Sequence, residues 1–305
     1  MNVAMKTATT ALALLLALPA CGQQTASTPA PTTAATTDAD PALWVVKDAD
    51  TTVYLFGTIH VLKPGLTWFD EAVKTAFDRS DELVLELVAP DGPTAQAIIM
   101  RKGLVTTGPT LTEQLPATKR ESFAKVLAEL AMPANALDRM KPWYAAMNLS
   151  LLPIMKLGYD PAKGPETVLT AAAKSAGKPV VGLETFEQQI GYFDALSPAA
   201  QTQFLVSTVD EVPKAGPEME KMVAEWSRGD PDALARDMND SLKDSPEVAK
   251  TLLVDRNKRW AGWIENRLKT PGTIFVAVGA GHLAGPESVQ SQLAKDGVKA
   301  TRIIY

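Results

Sequence analysis

His60 and His282 are the only histidines in the 305-residue chain, and each lies three positions after a glycine that closes an apolar run. The first run reads Tyr54-Leu55-Phe56-Gly57-Thr58-Ile59-His60. The second reads Phe275-Val276-Ala277-Val278-Gly279-Ala280-Gly281-His282. A single G-x-x-H is a weak pattern, but two copies that account for every histidine carry more weight. Where a strand ends the backbone must turn sharply, and glycine permits the turn. The imidazole is then held over the edge of the sheet, where open α/β sheets bind ligands. A neutral imidazole there serves as a metal ligand or as a general base near neutral pH. Two loop-capping histidines are the plain structural alternative, and that alternative does not explain a repeated local motif.

Acidic residues stand at other strand ends. Glu86 closes Leu83-Val84-Leu85-Glu86-Leu87, an otherwise apolar stretch. A carboxylate buried there without a partner is strongly disfavoured, so it must meet a metal, an arginine or water, or else face solvent from an edge strand. Glu184 follows Pro179-Val180-Val181-Gly182-Leu183 and precedes a helix at Thr185. Acid–base chemistry and simple attraction to the helix N-terminus both account for an acid at that position. Arg256, in Asp255-Arg256-Asn257, supplies a fixed cation able to clamp a carboxylate or an oxyanion, or to lie on an ordinary helix surface. Gly158-Tyr159-Asp160 reads as a helix C-cap followed by a loop.

These residues need a scaffold. Residues 42–47 and 51–57 are β-rich and flank Asp48-Ala49-Asp50, a hairpin signal. Residues 82–88, 178–183, 273–278 and 301–304 complete the strand candidates. Helical spacing of apolar residues covers 68–79, 112–130, 135–157, 165–176, 186–195, 198–212, 217–228 and 247–268. The expected fold is therefore α/β, with one central sheet assembled from distant segments. Large helical insertions form a subdomain over one edge.

The rest of the sequence bounds the chemistry. A net charge of −5 and the absence of any basic block argue against a nucleic-acid partner. A single cysteine excludes a disulfide framework or a cysteine zinc site within one chain. That cysteine, Cys21, ends Leu18-Pro19-Ala20-Cys21 after a basic Lys6 and an apolar run over 8–18, too short to span a bilayer comfortably. The pattern reads as a lipoprotein signal over 1–20, with Cys21 acylated. Residues 21–41, rich in Thr, Ala and Pro, read as a mobile tether, and 42–305 as the folded domain. Gly22 in place of aspartate points to the outer membrane, with the domain facing the periplasm.

Taken together, Trp44-Val45-Val46, the two G-x-x-H segments, Leu83–Glu86, Gly158-Tyr159-Asp160, Gly177-Lys178-Pro179-Val180-Val181-Gly182-Leu183-Glu184-Thr185 and Arg256-Asn257 with Trp260 form a specific combination. On these residues the chain resembles the TraB/GumN family of bacterial envelope proteins. That family is related to the TIKI metalloproteases and distantly similar to erythromycin esterases and ChaN-like haem-binding proteins. The resemblance implies a TIKI/ChaN-like α/β fold and a metal-dependent, peptidase-like hydrolase. It assigns His60, Glu86 and His282 to a divalent ion (zinc, manganese or cobalt), Glu184 to general base and Arg256 to an oxyanion or carboxylate clamp. A peptide or other small polar molecule is the expected substrate. A non-catalytic haem- or metal-binding lipoprotein is one alternative, and metal-free hydrolysis with His60 as base is another. The chain departs from the family pattern after Gly158-Tyr159-Asp160. It runs Pro161-Ala162-Lys163-Gly164-Pro165-Glu166 where relatives carry an aromatic residue or a histidine.

Overall fold

A computed structural model describes residues 36–242 and 245–305. The signal segment, Cys21 and most of the expected tether lie outside the described residues. The last tether residues belong to the fold, however. Thr37–Asp38 (β1) pairs in parallel with Leu66–Thr67 (β4), and Ala39 is buried, so the folded chain begins upstream of Ala42.

The central sheet has six strands: Leu43–Lys47 (β2), Thr51–Thr58 (β3), Glu82–Leu87 (β5), Val180–Glu184 (β6), Gly272–Gly279 (β7) and Thr301–Ile303 (β8). Their order is β6-β5-β7-β3-β2-β8. The first four are mutually parallel, while β2 runs antiparallel to both β3 and β8. The expected hairpin is present, its turn held by Asp48 Oδ1, which accepts from the Asp50 and Thr51 amides at 3.1 and 2.9 Å. The parallel strands are near-continuous apolar runs because helices cover both faces of the sheet. On one face Phe56, Leu83 and Phe275 pack under helices that include Glu71–Arg79 (α1). On the other, Leu55, Val84 and Val276 pack under Trp260 and Ile264.

A third core is built mainly between helices. It gathers residues of Gly92–Gly103 (α2), Ala117–Glu129 (α4), Pro142–Lys156 (α5), Phe186–Asp194 (α7) and Pro198–Glu211 (α8) around Trp143 and Phe193. Leu87, the last residue of β5, packs against it. Proline refines the helix expectations. Residues 112–130 are split into Leu111–Gln114 (α3) and α4 at Pro116, and α5 starts at Pro142 rather than at 135. Proline fits the first turn of a helix but disfavours helical backbone in the residue before it. Pro165–Ser175 (α6) also opens on proline. The remaining helices are Ala215–Ser227 (α9), Pro231–Leu242 (α10), Pro246–Ala249 (α11), Asp255–Arg267 (α12) and Val289–Lys295 (α13). A π-helical turn over Lys250–Val254 joins α11 to α12. Among the described residues no helix is long and apolar enough to cross a membrane.

Candidate functional site

All four parallel strands deliver chemistry at the same end of the sheet. Glu184 closes β6 and Glu86 stands one residue before the end of β5. Thr58, at the end of β3, is in register with Gly279, at the end of β7. The two G-x-x-H motifs thus lie side by side on neighbouring strands, although 222 positions separate the histidines in sequence (282 − 60). Parallel pairing carries His60 and His282 over one sheet edge, with Glu86 one strand away. The expected residues come together as a single constellation.

Of the partners open to Glu86, the structure supplies the arginine. Arg256 reaches in from the first turn of α12 and is 1% exposed. Its Nη2 donates to Glu86 Oε2 at 2.6 Å and to Glu184 Oε2 at 2.9 Å. Its Nε donates to Glu184 Oε1 and Oε2 at 3.1 and 3.0 Å, and its Nη1 approaches His282 Nε2 at 3.1 Å. The guanidinium also lies 4.6 Å from the Trp260 ring centroid, and Trp260 packs on His282. Glu184 therefore has both oxygens committed and is no free base. Arg256 clamps carboxylates of the protein itself and offers no free donor to a substrate oxyanion. The two residues expected to be catalytic form a buried brace.

Two residues with no assigned role complete the brace. Gln189, buried in the first turns of α7, donates Nε2 to Glu86 Oε2 at 3.0 Å. Asn257 Oδ1 stands 2.5 Å from His282 Nδ1, and its Nδ2 donates to the Glu287 carbonyl at 2.7 Å. Because that amide nitrogen is occupied in donating, Oδ1 must be the acceptor, and His282 carries its proton on Nδ1. Its Nε2 then accepts from Arg256, which has no acceptor of its own. Burial and the adjacent guanidinium both disfavour a second proton, pulling the His282 pKa down to about 3. This histidine is neutral.

His60 lives in the opposite field. Its Nδ1 is 2.5 Å from Glu166 Oε1, which also accepts from Thr58 Oγ1 at 2.5 Å. The His60 and Glu166 side chains are 21% and 23% exposed, the open side of the cluster. Burial opposes charge on His60, but Glu166, joined by Glu86, outweighs it and raises the pKa to about 9. Burial likewise pushes Glu86 upward, yet Arg256 and both histidines hold it well below the ordinary carboxylate range. Glu86 Oε1 accepts from the Gly279 amide at 2.7 Å. A Cβ placed on Gly279 would stand 3.1 Å from Glu86 Oε1 and 3.7 Å from His60 Nε2. Both atoms thus converge on the side of Gly279 that carries no side chain.

A divalent ion held by His60, Glu86 and His282 needs three lone pairs converging on one point. His60 Nε2 and Glu86 Oε1 border a common space, but the His282 Nε2 lone pair is directed at Arg256. The same guanidinium holds Glu86 Oε2, and it keeps its charge at any working pH. Three carboxylates, Glu86, Glu184 and Glu166, already meet three cations: Arg256, His60 and Arg259, the last 3.7 Å from Glu184. The expected three-ligand centre does not fit this arrangement. Among the described residues no group of three or more His, Cys, Asp and Glu side chains is arranged to hold an ion.

Residues 42–302 match the TraB/PrgY/gumN family. The chain belongs to that family. Among curated relatives, it is 24% identical to an uncharacterized protein of Treponema pallidum (strain Nichols), over 81% of this chain and 78% of that one. It is also 24% identical to the uncharacterized protein YbaP of Escherichia coli (strain K12), over 83% of this chain and 92% of YbaP. YbaP of Shigella flexneri matches to the same extent. No solved structure matches. Every motif that signalled the TraB/PrgY/gumN family lies within the matched span. No local signal marks Glu166, since it stands 106 positions from the histidine it touches. Gln189 sits beside the Glu184-Thr185 motif without a pattern of its own, while Asn257 lies within the Arg256-Asn257 motif but has no role assigned there.

Proposed function

We propose that this chain is a lipid-anchored hydrolase of carboxylic esters or amides that works without a metal ion, with His60 moving the proton and Glu86 holding the water. One observation carries the reading. His60 Nε2 and Glu86 Oε1 converge on the side of Gly279 that carries no side chain, where this reading places the water, while Arg256 occupies Glu184, Glu86 Oε2 and His282. A water in that space gives one proton to His60 Nε2 as its oxygen adds to the substrate carbonyl carbon. The imidazolium then returns the proton to the departing alkoxide or amine, and the water oxygen leaves in the acid product. With a pKa raised to about 9, His60 is mostly protonated at neutral pH. The base form, and with it the rate, rises about tenfold per pH unit below that point. The anchor rests on Leu18–Cys21 and the Thr/Ala/Pro segment after it, and Cys21→Ser is expected to release the protein from membranes.

The test is turnover of p-nitrophenyl esters and a mixed peptide library, with and without chelator, by wild type and His60→Ala. The expected result is chelator-insensitive hydrolysis that climbs towards pH 9 and falls by about 10²–10⁴-fold in His60→Ala, leaving a measurable residual rate. Loss of activity in chelator with recovery on added zinc, manganese or cobalt overturns the metal-free mechanism. Absence of turnover with every probe overturns the hydrolase reading in favour of a binding protein.

A further inference from the structure

The connection between α5 and α6 wraps His60 from three sides. Leu62 and Asp160 exchange backbone hydrogen bonds, 3.4 Å from the Leu62 amide and 3.0 Å from the Asp160 amide. Gly164 lies flat against the His60 carbonyl, where any Cβ would come within 2.2 Å of the oxygen. Glu166, two residues on and in the first turn of α6, then meets the His60 ring itself. A surface ion pair between two free side chains contributes little. This one is different in build, since both partners are three-quarters or more covered and the same carboxylate oxygen is gripped by Thr58. Thr58 is also the residue in register with Gly279, so a single strand pairing sets both the glycine beside His60 Nε2 and the grip on Glu166.

We infer that Glu166 is the positioning residue of His60, fixing the proton on Nδ1 and turning Nε2 towards the space at Gly279, with Thr58 holding Glu166 in place. A neutral imidazole otherwise chooses between two tautomers and rotates about its side-chain bonds. A carboxylate on one ring nitrogen decides both. The inference rests on the hydrolytic reading for its rate consequence; the tautomer consequence stands on the geometry alone.

Because the chain has two histidines, ¹⁵N-histidine labelling yields two ring spin systems, and His282 serves as an internal monitor of folding. In wild type, at a pH above the His60 midpoint, His60 is expected as a single Nδ1–H tautomer. In Glu166→Leu it is expected as a tautomer mixture, with the His282 signals in place. Hydrolytic kcat should fall by about 10²–10⁴-fold with KM little changed, and Glu166→Asp should recover part of the loss. Thr58→Val, a milder change should Glu166→Leu fail to fold, is expected to broaden the His60 signals and lower kcat by a smaller factor. In a His60→Ala background, Glu166→Leu should cost nothing further, because residues acting as a unit are not additive. His60 ring signals identical to wild type in Glu166→Leu and Thr58→Val overturn the inference, as does a full kcat loss on top of His60→Ala. If the tautomer change occurs but no probe is turned over, the hydrolytic reading fails and the positioning role stands.

Discussion

His60 and His282 begin from the same local sequence pattern, leave neighbouring parallel strands in matched register, and end in opposite charge states. Around His282 the ring nitrogens meet a neutral amide oxygen and a guanidinium, so the ring stays neutral, with a pKa pulled down to about 3. Around His60 one nitrogen meets a carboxylate and a second carboxylate stands beyond the other, so the pKa rises to about 9. Strand and glycine place each imidazole at the sheet edge. The elements packed against each ring, α12 for His282 and the α5–α6 connection for His60, decide what each imidazole is for. Repetition in the sequence marks a shared location, and the packed partners divide the labour into a brace and a working face.

Arg256 creates the division, so removing it should have the largest effect on stability. Arg256→Leu leaves Glu86 and Glu184 buried side by side without their shared cation. Breaking a buried ion pair by deleting one partner costs about 3–5 kcal/mol. We expect denaturant unfolding to show a loss of that order and His282 to titrate closer to its ordinary value of 6.5. A variant as stable as wild type, with His282 still neutral at acid pH, removes the brace from the comparison.

The charge states themselves should be visible in the pH dependence of stability. The folded His282 pKa lies below its ordinary 6.5, so the unfolded chain takes up the proton first as pH falls. Its contribution is complete above about pH 6.5 and is lost between there and about pH 3. The folded His60 pKa lies above 6.5, so its contribution is complete below pH 6.5 and is lost as pH rises through about 9. Glu86 adds a second acid limb, but only below its ordinary 4.5. Stability should therefore peak near neutrality, each histidine limb being worth a few kcal/mol at most. Thermal unfolding across pH, with His282→Asn and His60→Asn, should flatten the acid and alkaline limbs respectively. Flattening of the wrong limb by either variant reverses the assignment.

Much of this was legible before the structure. The α/β sheet from distant segments, the hairpin at Asp48 and the meeting of His60 with His282 follow from apolar runs and glycine positions, whereas the family resemblance brought Glu86, Glu184 and Arg256 to the same place. Such signals are local, and parallel pairing turns them into proximity. What was not legible is which partner each group takes. Arg256 can clamp a substrate or a protein carboxylate with the same side chain, and only the packing of α12 over β5 and β6 decides between them. Glu166 is an acid near a helix start like many others until the α5–α6 connection folds onto His60. The helix starts at Pro142 and Ala117 were similarly obscured, because apolar spacing continues through prolines that the backbone does not.

A smaller effect on stability is expected at Gly279, the residue between the two halves of the comparison. Its φ is −50°, a value that alanine adopts freely, so Gly279→Ala carries no backbone strain. Its methyl would fall 3.1 Å from Glu86 Oε1, close enough that the carboxylate must give by a few tenths of an ångström. Glu86 is held by Arg256, Gln189 and the Gly279 amide and yields poorly, so stability should fall by about 1–3 kcal/mol. Hydrolysis should also be lost, because the methyl occupies the space that His60 Nε2 and Glu86 Oε1 share. An active Gly279→Ala shows that the reacting water lies elsewhere.

The smallest expected effect is that of a chelator on the unfolding temperature. A ligand that binds only the folded state stabilises it by about 2.7 kcal/mol at a hundredfold excess over its dissociation constant. For a domain above 200 residues that corresponds to a shift of several degrees, at about 2–4 °C per kcal/mol. If His282 Nε2 is given over to Arg256 as the structure has it, no resident divalent ion contributes this term. Protein purified without added metal should then unfold at the same temperature with and without EDTA, and added zinc, manganese or cobalt should not raise it. A drop of several degrees in EDTA, restored by one of those ions and absent from His282→Asn, would mean that His282 turns from Arg256 to a metal. The two histidines would then be partners in one centre, and the contrast between them would describe only its metal-free state.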